Sequence, residues 1–213
     1  MEFDQFAQYV NMLEGIREFY LTFETDESVD RKKALNQVIY EMNCCGIPGT
    51  IIFNGSLTMG MSERHSDIDY LYVGDMSKLN FSDIGPFLQE RLYERLNRFI
   101  EVDFSPSLNL TDVRTGIESD HPGLNNELVR FYQLCKTWAH LDDRLDQNMA
   151  AIEELRSSNQ TLDLRLRRPY SNVIINNWEP SFHKYHERLE KRGIDIPVKQ
   201  RTRESVFSEM LYL

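Results

Sequence analysis

The chain has little cysteine, no surplus of positive charge and no long apolar run. Its three cysteines are Cys44, Cys45 and Cys135, two of them adjacent. An odd count with a neighbouring pair is no disulfide framework, which points to a reducing, cytoplasmic setting. No stretch approaches the ~20 consecutive apolar residues that a membrane span needs. The opening MEFDQFAQYV lacks the basic start and apolar centre of a secretory signal. Lys and Arg number 24 against 34 Asp and Glu, a net charge of −10. That balance argues against broad binding of nucleic acid, which needs a basic face. Internal repeats and low-complexity segments are also missing.

What is there is enough for a core. At 41% apolar and 11% aromatic, 213 residues make one large domain or two small ones that share a core. The charge is uneven. Residues 1–155 carry 13 basic against 27 acidic side chains, whereas residues 156–213 carry 11 against 7. The mildly basic tail leaves room for a local anion site.

Helical spacing of Phe6, Val10, Leu13, Ile16 and Tyr20 predicts a first helix within 3–23. The charged ETDESVDRKK at 24–33 reads as a connection. Asp30 then caps a helix over 31–45 with Leu35, Val38, Ile39 and Met42 on one face, and GIPG at 46–49 stops it. TIIF at 50–53, SDIDYLYV at 66–73 and IEVDFS at 100–105 read as strands, with a short helix from Leu57 and a longer one over 83–99 between them. Phe87, Leu88, Leu92 and Leu96 face inward on that longer helix. Beyond a turn-rich boundary at 110–124, helical periodicity runs over 125–158 and again over 179–193, where Gly193 ends it. Residues 161–178 fit extended or helical structure equally. The expectation is an α+β fold: a small mixed sheet backed by helices, with a helical C-terminal half. Its parts are an N-terminal helical extension (1–33), a sheet-containing domain (34–112) and a helical domain (113–213).

The chemistry concentrates in FNGSLTMGMSERHSDIDYLYVG, residues 53–74. On a strand, residues two apart share a face, so Asp67 and Asp69 aim both carboxylates at one point. Such a pair repels itself, and one member takes up a proton unless a cation intervenes. Hard oxygen ligands suit Mg²⁺ or Mn²⁺. Upstream, Gly55 lets the backbone approach a ligand closely, and the amides at the following helix start, with the Ser56 hydroxyl, suit an anion. A phosphate cradle beside paired carboxylates is what a nucleoside triphosphate requires. Asp103, flanked by apolar residues, offers a third carboxylate from a neighbouring strand.

In these residues the chain resembles the DNA polymerase β-like nucleotidyltransferase superfamily, particularly its small members. That family is marked by Gly-Ser, a spacer, Asp-x-Asp on the next strand and a later lone Asp on a neighbouring one. Here these are Gly55-Ser56, Asp67-Ile68-Asp69 and Asp103, with Gly60 matching a second spacer glycine. The resemblance spans about residues 34–105. It implies transfer of a nucleoside monophosphate from an NTP to an acceptor hydroxyl on a small molecule or protein, with release of pyrophosphate. Asp67 and Asp69 would hold two cations. Asp103 would share the one beside the acceptor hydroxyl and help remove its proton, and Gly55 and Ser56 would bind the triphosphate. In several antibiotic-modifying relatives the helical half adds a carboxylate base, for which Glu127, Asp142 and Asp143 stand as candidates. The alternative is an antitoxin-like binding partner on the same fold, acting on or clamping a toxin protein. The partners implied are an NTP and an acceptor, with no membrane; pairing with a second copy or with a toxin-like chain stays open.

Other features carry plainer readings. Arg64 and His65 read as solvent-facing within reach of a triphosphate. His183 and His186, three apart on a helix, lack a third ligand for zinc and read as a solvated face. Arg165, Arg167 and Arg168 read as a salt-bridged surface, Cys44 and Cys45 as small apolar residues packed in a helix, and the aromatics of 128–141 as core.

Overall fold

Thr25 sets the first boundary. Its extended backbone and its hydroxyl, which accepts a hydrogen bond from the Ser28 amide at 3.1 Å, cap helix α1, Asp26–Cys44. Asp26 and Glu27 in the first turn complement the positive end of the helix. The computed structural model describes residues 15, 17–45, 50–73, 81–108, 110–119, 122–124, 150, 154, 158 and 179–195. Residues 24–33 are therefore mostly the first turns of α1 rather than a connection, and the cap is Thr25, not Asp30. The inward side of these turns is polar: Ser28 and Arg31 are both 0% exposed. That breaks the apolar periodicity by which a helix is usually read.

Three strands follow, β1 (Thr50–Phe53), β2 (Ile68–Val73) and β3 (Val102–Leu108), in the sheet order β1-β2-β3. A one-turn helix α2, Gly55–Thr58, and a loop join β1 to β2, which run antiparallel with Phe53 opposite Tyr70. β2 and β3 run parallel, which demands a crossover. Helix α3, Phe81–Leu96, supplies it. The chain is thus mixed α+β around a small mixed sheet.

Alternation along the strands divides the sheet's faces. Ile51 and Phe53 of β1 and Ile68, Tyr70 and Tyr72 of β2 enter one core cluster. The same cluster takes in Leu35, Val38, Ile39 and Met42 of α1 and Ile84, Leu88 and Leu92 of α3. The opposite face carries the paired Ile52 and Leu71, also buried, and, two residues back from Leu71 along β2, the half-buried Asp69. Apolar packing on the helix side therefore holds the backbone from which the acidic side chains project.

Residues expected as a turn-rich boundary form helix α4, Leu110–Glu118, whose buried Val113, Gly116 and Ile117 make an apolar stripe despite the Thr, Asp and Gly around them. A 3₁₀ turn, Pro122–Leu124, follows. The expected divisions at 33/34 and 112/113 fall inside α1 and α4. Helix α5, Glu179–Lys191, buries Phe182, Tyr185 and Leu189, and Tyr20 of the helical residues 17–21 packs on Phe182 and Tyr185 at 5.8 and 5.5 Å between ring centroids. As expected, Gly193 ends α5. With φ +74° it allows the Gly193 and Ile194 amides to donate to the carbonyls of Glu190 and Leu189, closing the helix end.

Cys44 and Cys45 are exposed rather than packed, because the buried stripe of α1 ends at Met42. Phe6, Val10, Leu13, Ile16, GIPG at 46–49, Cys135 and the segment 161–178 lie outside the described residues. So does the 125–158 helix apart from residues 150, 154 and 158, each helical. Among the described residues no helix is long and apolar enough to cross a membrane.

Candidate functional site

Asp67 stands immediately before β2, Asp69 is the second residue of β2, and Asp103 is the second residue of β3. The parallel register sets Asp69 directly opposite Asp103. Opposed residues of paired strands project to the same face, and Asp67 lies two residues back along that face. One carboxylate oxygen from each of the three lies within 4.8 Å of the others. Asp67 and Asp69 are half-buried and Asp103 is exposed, so the group opens toward solvent at Asp103. Backbone bonds pin the arrangement: the Ile68 amide donates to the Glu101 carbonyl at 2.9 Å, and the Asn54 amide to the Asp69 carbonyl at 3.0 Å.

The glycine-serine turn is built against this group. Gly55 has φ +66°, and a Cβ placed on it would sit 2.1 Å from Asp69 Oδ2. No other residue fits there without displacing the carboxylate. Asn54 precedes the turn in extended backbone and makes no side-chain capping bond. The Met61 amide donates to the Ser56 carbonyl at 2.8 Å, and the half-buried Ser56 holds its hydroxyl 3.4 Å from that of Ser62.

Burial pushes the Asp69 carboxyl up to about 6, and the negative charges of Asp67 and Asp103 push the same way, with Lys184 of α5 opposing. Tyr185 on the same helix is also raised, by burial first and with smaller contributions from Asp69 and Asp67, against Arg188. α5 therefore faces the acidic group.

Two arginines escaped the sequence reading. Arg188 is buried, donates to the Met61 carbonyl and pairs through Nε with Glu63 at 3.2 Å, so α5 grips the spacer between the turn and Asp67. Arg31 is wholly buried beneath that spacer and donates to the carbonyls of Glu63, Arg64, Ser66 and Asp67 at 3.0, 3.2, 2.6 and 3.4 Å. The signal that could have found Arg31 is Glu27, four residues earlier and its ion-pair partner at 2.5 Å. Burial disfavours the charge on Glu27, but the hydrogen bonds and charges of Arg98 and Arg31 outweigh it and hold the carboxyl below its ordinary range.

Arg64 and His65 occupy an exposed turn, as expected. His183 is exposed; His186 is half-buried against the Tyr20 ring, and burial together with His183 disfavours its charge. Among the described residues the three aspartates form the only group of such side chains able to hold a metal ion. Glu127, Asp142, Asp143, Arg165, Arg167, Arg168 and the aromatics of 128–141 lie outside the described residues. Comparison of the chain with models of known families, with curated proteins and with solved structures yields no match. What the site can do is therefore decided by its own donor atoms.

Proposed function

We propose that the chain is a metal-dependent nucleotidyltransferase, moving a nucleoside monophosphate from an NTP to an acceptor hydroxyl and releasing pyrophosphate. The observation that carries this reading is the contact between turn and acids. Gly55 packs so close to Asp69 that a Cβ there would sit 2.1 Å from Oδ2, so the turn and the acids are parts of one site. The mixed sheet of three strands, with Asp69 and Asp103 in register, is the core that such a site needs.

The donor set fits Mg²⁺ or Mn²⁺: three carboxylates within reach of one point, all hard oxygens. Burial first, and then the charges of Asp67 and Asp103, raise the proton affinity of Asp69, and a bound cation would oppose both. Asp67 and Asp69 would hold the cations, and Asp103 would share one of them. A cation held there would neutralise triphosphate charge and polarise the acceptor hydroxyl. The residues of the chain do the rest. The Gly55-Ser56 turn receives the phosphates, the Ser56 hydroxyl donates to them, and Asp103 at the open side takes the acceptor proton. The acceptor oxygen bonds to the α-phosphorus as the α–β bridging bond breaks, and pyrophosphate leaves past the turn. Rigid in-line placement is the protein's main contribution.

The test is to incubate the purified chain with each labelled NTP, Mg²⁺ and a mixed pool of metabolites and proteins, then weigh the products. Pyrophosphate release that disappears in Asp67→Asn and Asp69→Asn is the expected result. Undiminished turnover in either variant would refute the assignment.

A further inference from the structure

We infer that Glu27 is a positioning residue that ties together the two segments leading into the metal-site carboxylates, through an Arg31–Glu27–Arg98 triad buried at its Arg31 end. Its functional consequence rests on the metal-site reading above. Both arginines donate to the same oxygen, Oε1 of Glu27: Arg31 through Nε and Arg98 through Nη2. Arg31 spends its remaining donors on the carbonyls of residues 63, 64, 66 and 67, which form the run that ends at Asp67. Arg98 sits between α3 and β3, just past Asn97, whose φ of 51° turns the chain toward the strand that bears Asp103. One carboxylate on α1 thus anchors the approach to Asp67 on one side and the approach to Asp103 on the other.

The layout is more than general stabilisation. Apart from Glu27, the guanidinium of Arg31 donates only to backbone carbonyls of the spacer, and it is shut away from water. Without Glu27 its charge would stay buried and short of a partner, so the spacer would have to move to rehydrate it. Where carboxylates must converge within 4.8 Å, such a shift at the base of the site alters the metal geometry. Loss of partners that orient metal ligands typically weakens metal affinity by about 10–100-fold.

Hydrogen exchange of the metal-free protein tests the tie itself, and Mn²⁺ binding, followed by the resonance of free Mn²⁺, tests its consequence. Glu27→Gln should speed exchange in peptides covering both 63–67 and 98–103, while the core faces of α1 and α3 stay protected, and should weaken Mn²⁺ binding about tenfold. Faster exchange in only one of the two segments, or a uniform rise over the whole chain, would overturn the proposal. So would an unchanged Mn²⁺ affinity. If Glu27→Gln does not fold, Arg98→Gln, at the more exposed end of the triad, should loosen 98–103 alone and still weaken Mn²⁺; full affinity there would overturn it. A wild-type chain that binds no Mn²⁺ would sink the nucleotidyltransferase reading, and the exchange pattern would then decide the tie by itself.

Discussion

Asp69→Asn should make the metal-free protein more stable while removing its response to metal. Asp69 has an ordinary carboxyl value of 3.8 that burial, Asp67 and Asp103 push up to about 6. Over that interval a fully buried group would change stability by about 3 kcal/mol. Asp69 keeps partial contact with solvent, and screening reduces the expected effect to about 1–2 kcal/mol. The sign follows from proton binding. The folded chain holds the Asp69 proton where the unfolded chain has lost it, so the contribution of Asp69 to stability is fully present below about 4 and is lost as the pH rises through about 6. Asn mimics the protonated acid at every pH. In chelator, the variant and the wild type should melt together near pH 4, and near pH 7 the variant should melt about 2–8 °C higher. With Mn²⁺ at a hundred times its dissociation constant, the wild type should gain about 2.7 kcal/mol and overtake the variant, which gains nothing. Scanning calorimetry at three pH values, with and without metal, reads all of this. If the variant is no more stable than the wild type at pH 7 in chelator, the three acids are not in conflict and the electrostatic account of the site is wrong.

Two further substitutions separate the site from the scaffold. Gly55→Ala must place its Cβ where Asp69 Oδ2 now lies, at φ +66°, and should lose Mn²⁺ binding by at least about tenfold, the loss expected when a ligand is displaced. Gly60→Ala has a similar φ of +70° but meets only the side chains of Leu21 and Glu24 at 3.1–3.2 Å; it should cost about 1–2 kcal/mol of stability and spare metal affinity. Leu92→Ala, in the core between α3 and the sheet, should cost about 2–5 kcal/mol by denaturant titration, with Mn²⁺ affinity unchanged in the fraction that remains folded.

The legible parts of this fold were those where backbone period and residue type agree. TIIF forms β1 over the expected residues, and SDIDYLYV shows the two-residue alternation that sets Asp69 apart from Ile68 and Tyr70. Asp103 stood out because apolar neighbours on both sides marked a strand, and it came to rest opposite Asp69. What escaped notice was polar residues doing the work of core. Arg31 and Arg188 look like surface charge in a string of letters, yet both are buried because backbone carbonyls take up their donors. Such partners lie tens of residues away, beyond the reach of local pattern. The start of α1 was hidden for the same reason, and α4 because Gly116 and two threonines obscure the spacing of Val113 and Ile117.

The site also explains why its strand is so apolar on the other side. Holding Asp69 ionised in a partly buried place, against the repulsion of Asp67 and Asp103, costs about 1–2 kcal/mol, with burial the largest cause. Register has to be kept against that repulsion, since a slip of one residue in β3 would send Asp103 to the opposite face. Ile68, next to both acids and 0% exposed, contributes about 1.5–3 kcal/mol by its burial. That single side chain is enough to offset the cost of the ionised Asp69. Tyr70 and Tyr72 continue the same face into the helices, and the amide of Ile68 itself donates to Glu101 at the mouth of β3. The acids can stay in conflict because the residue between them, by side chain and by backbone, belongs to the part of the fold that does not yield.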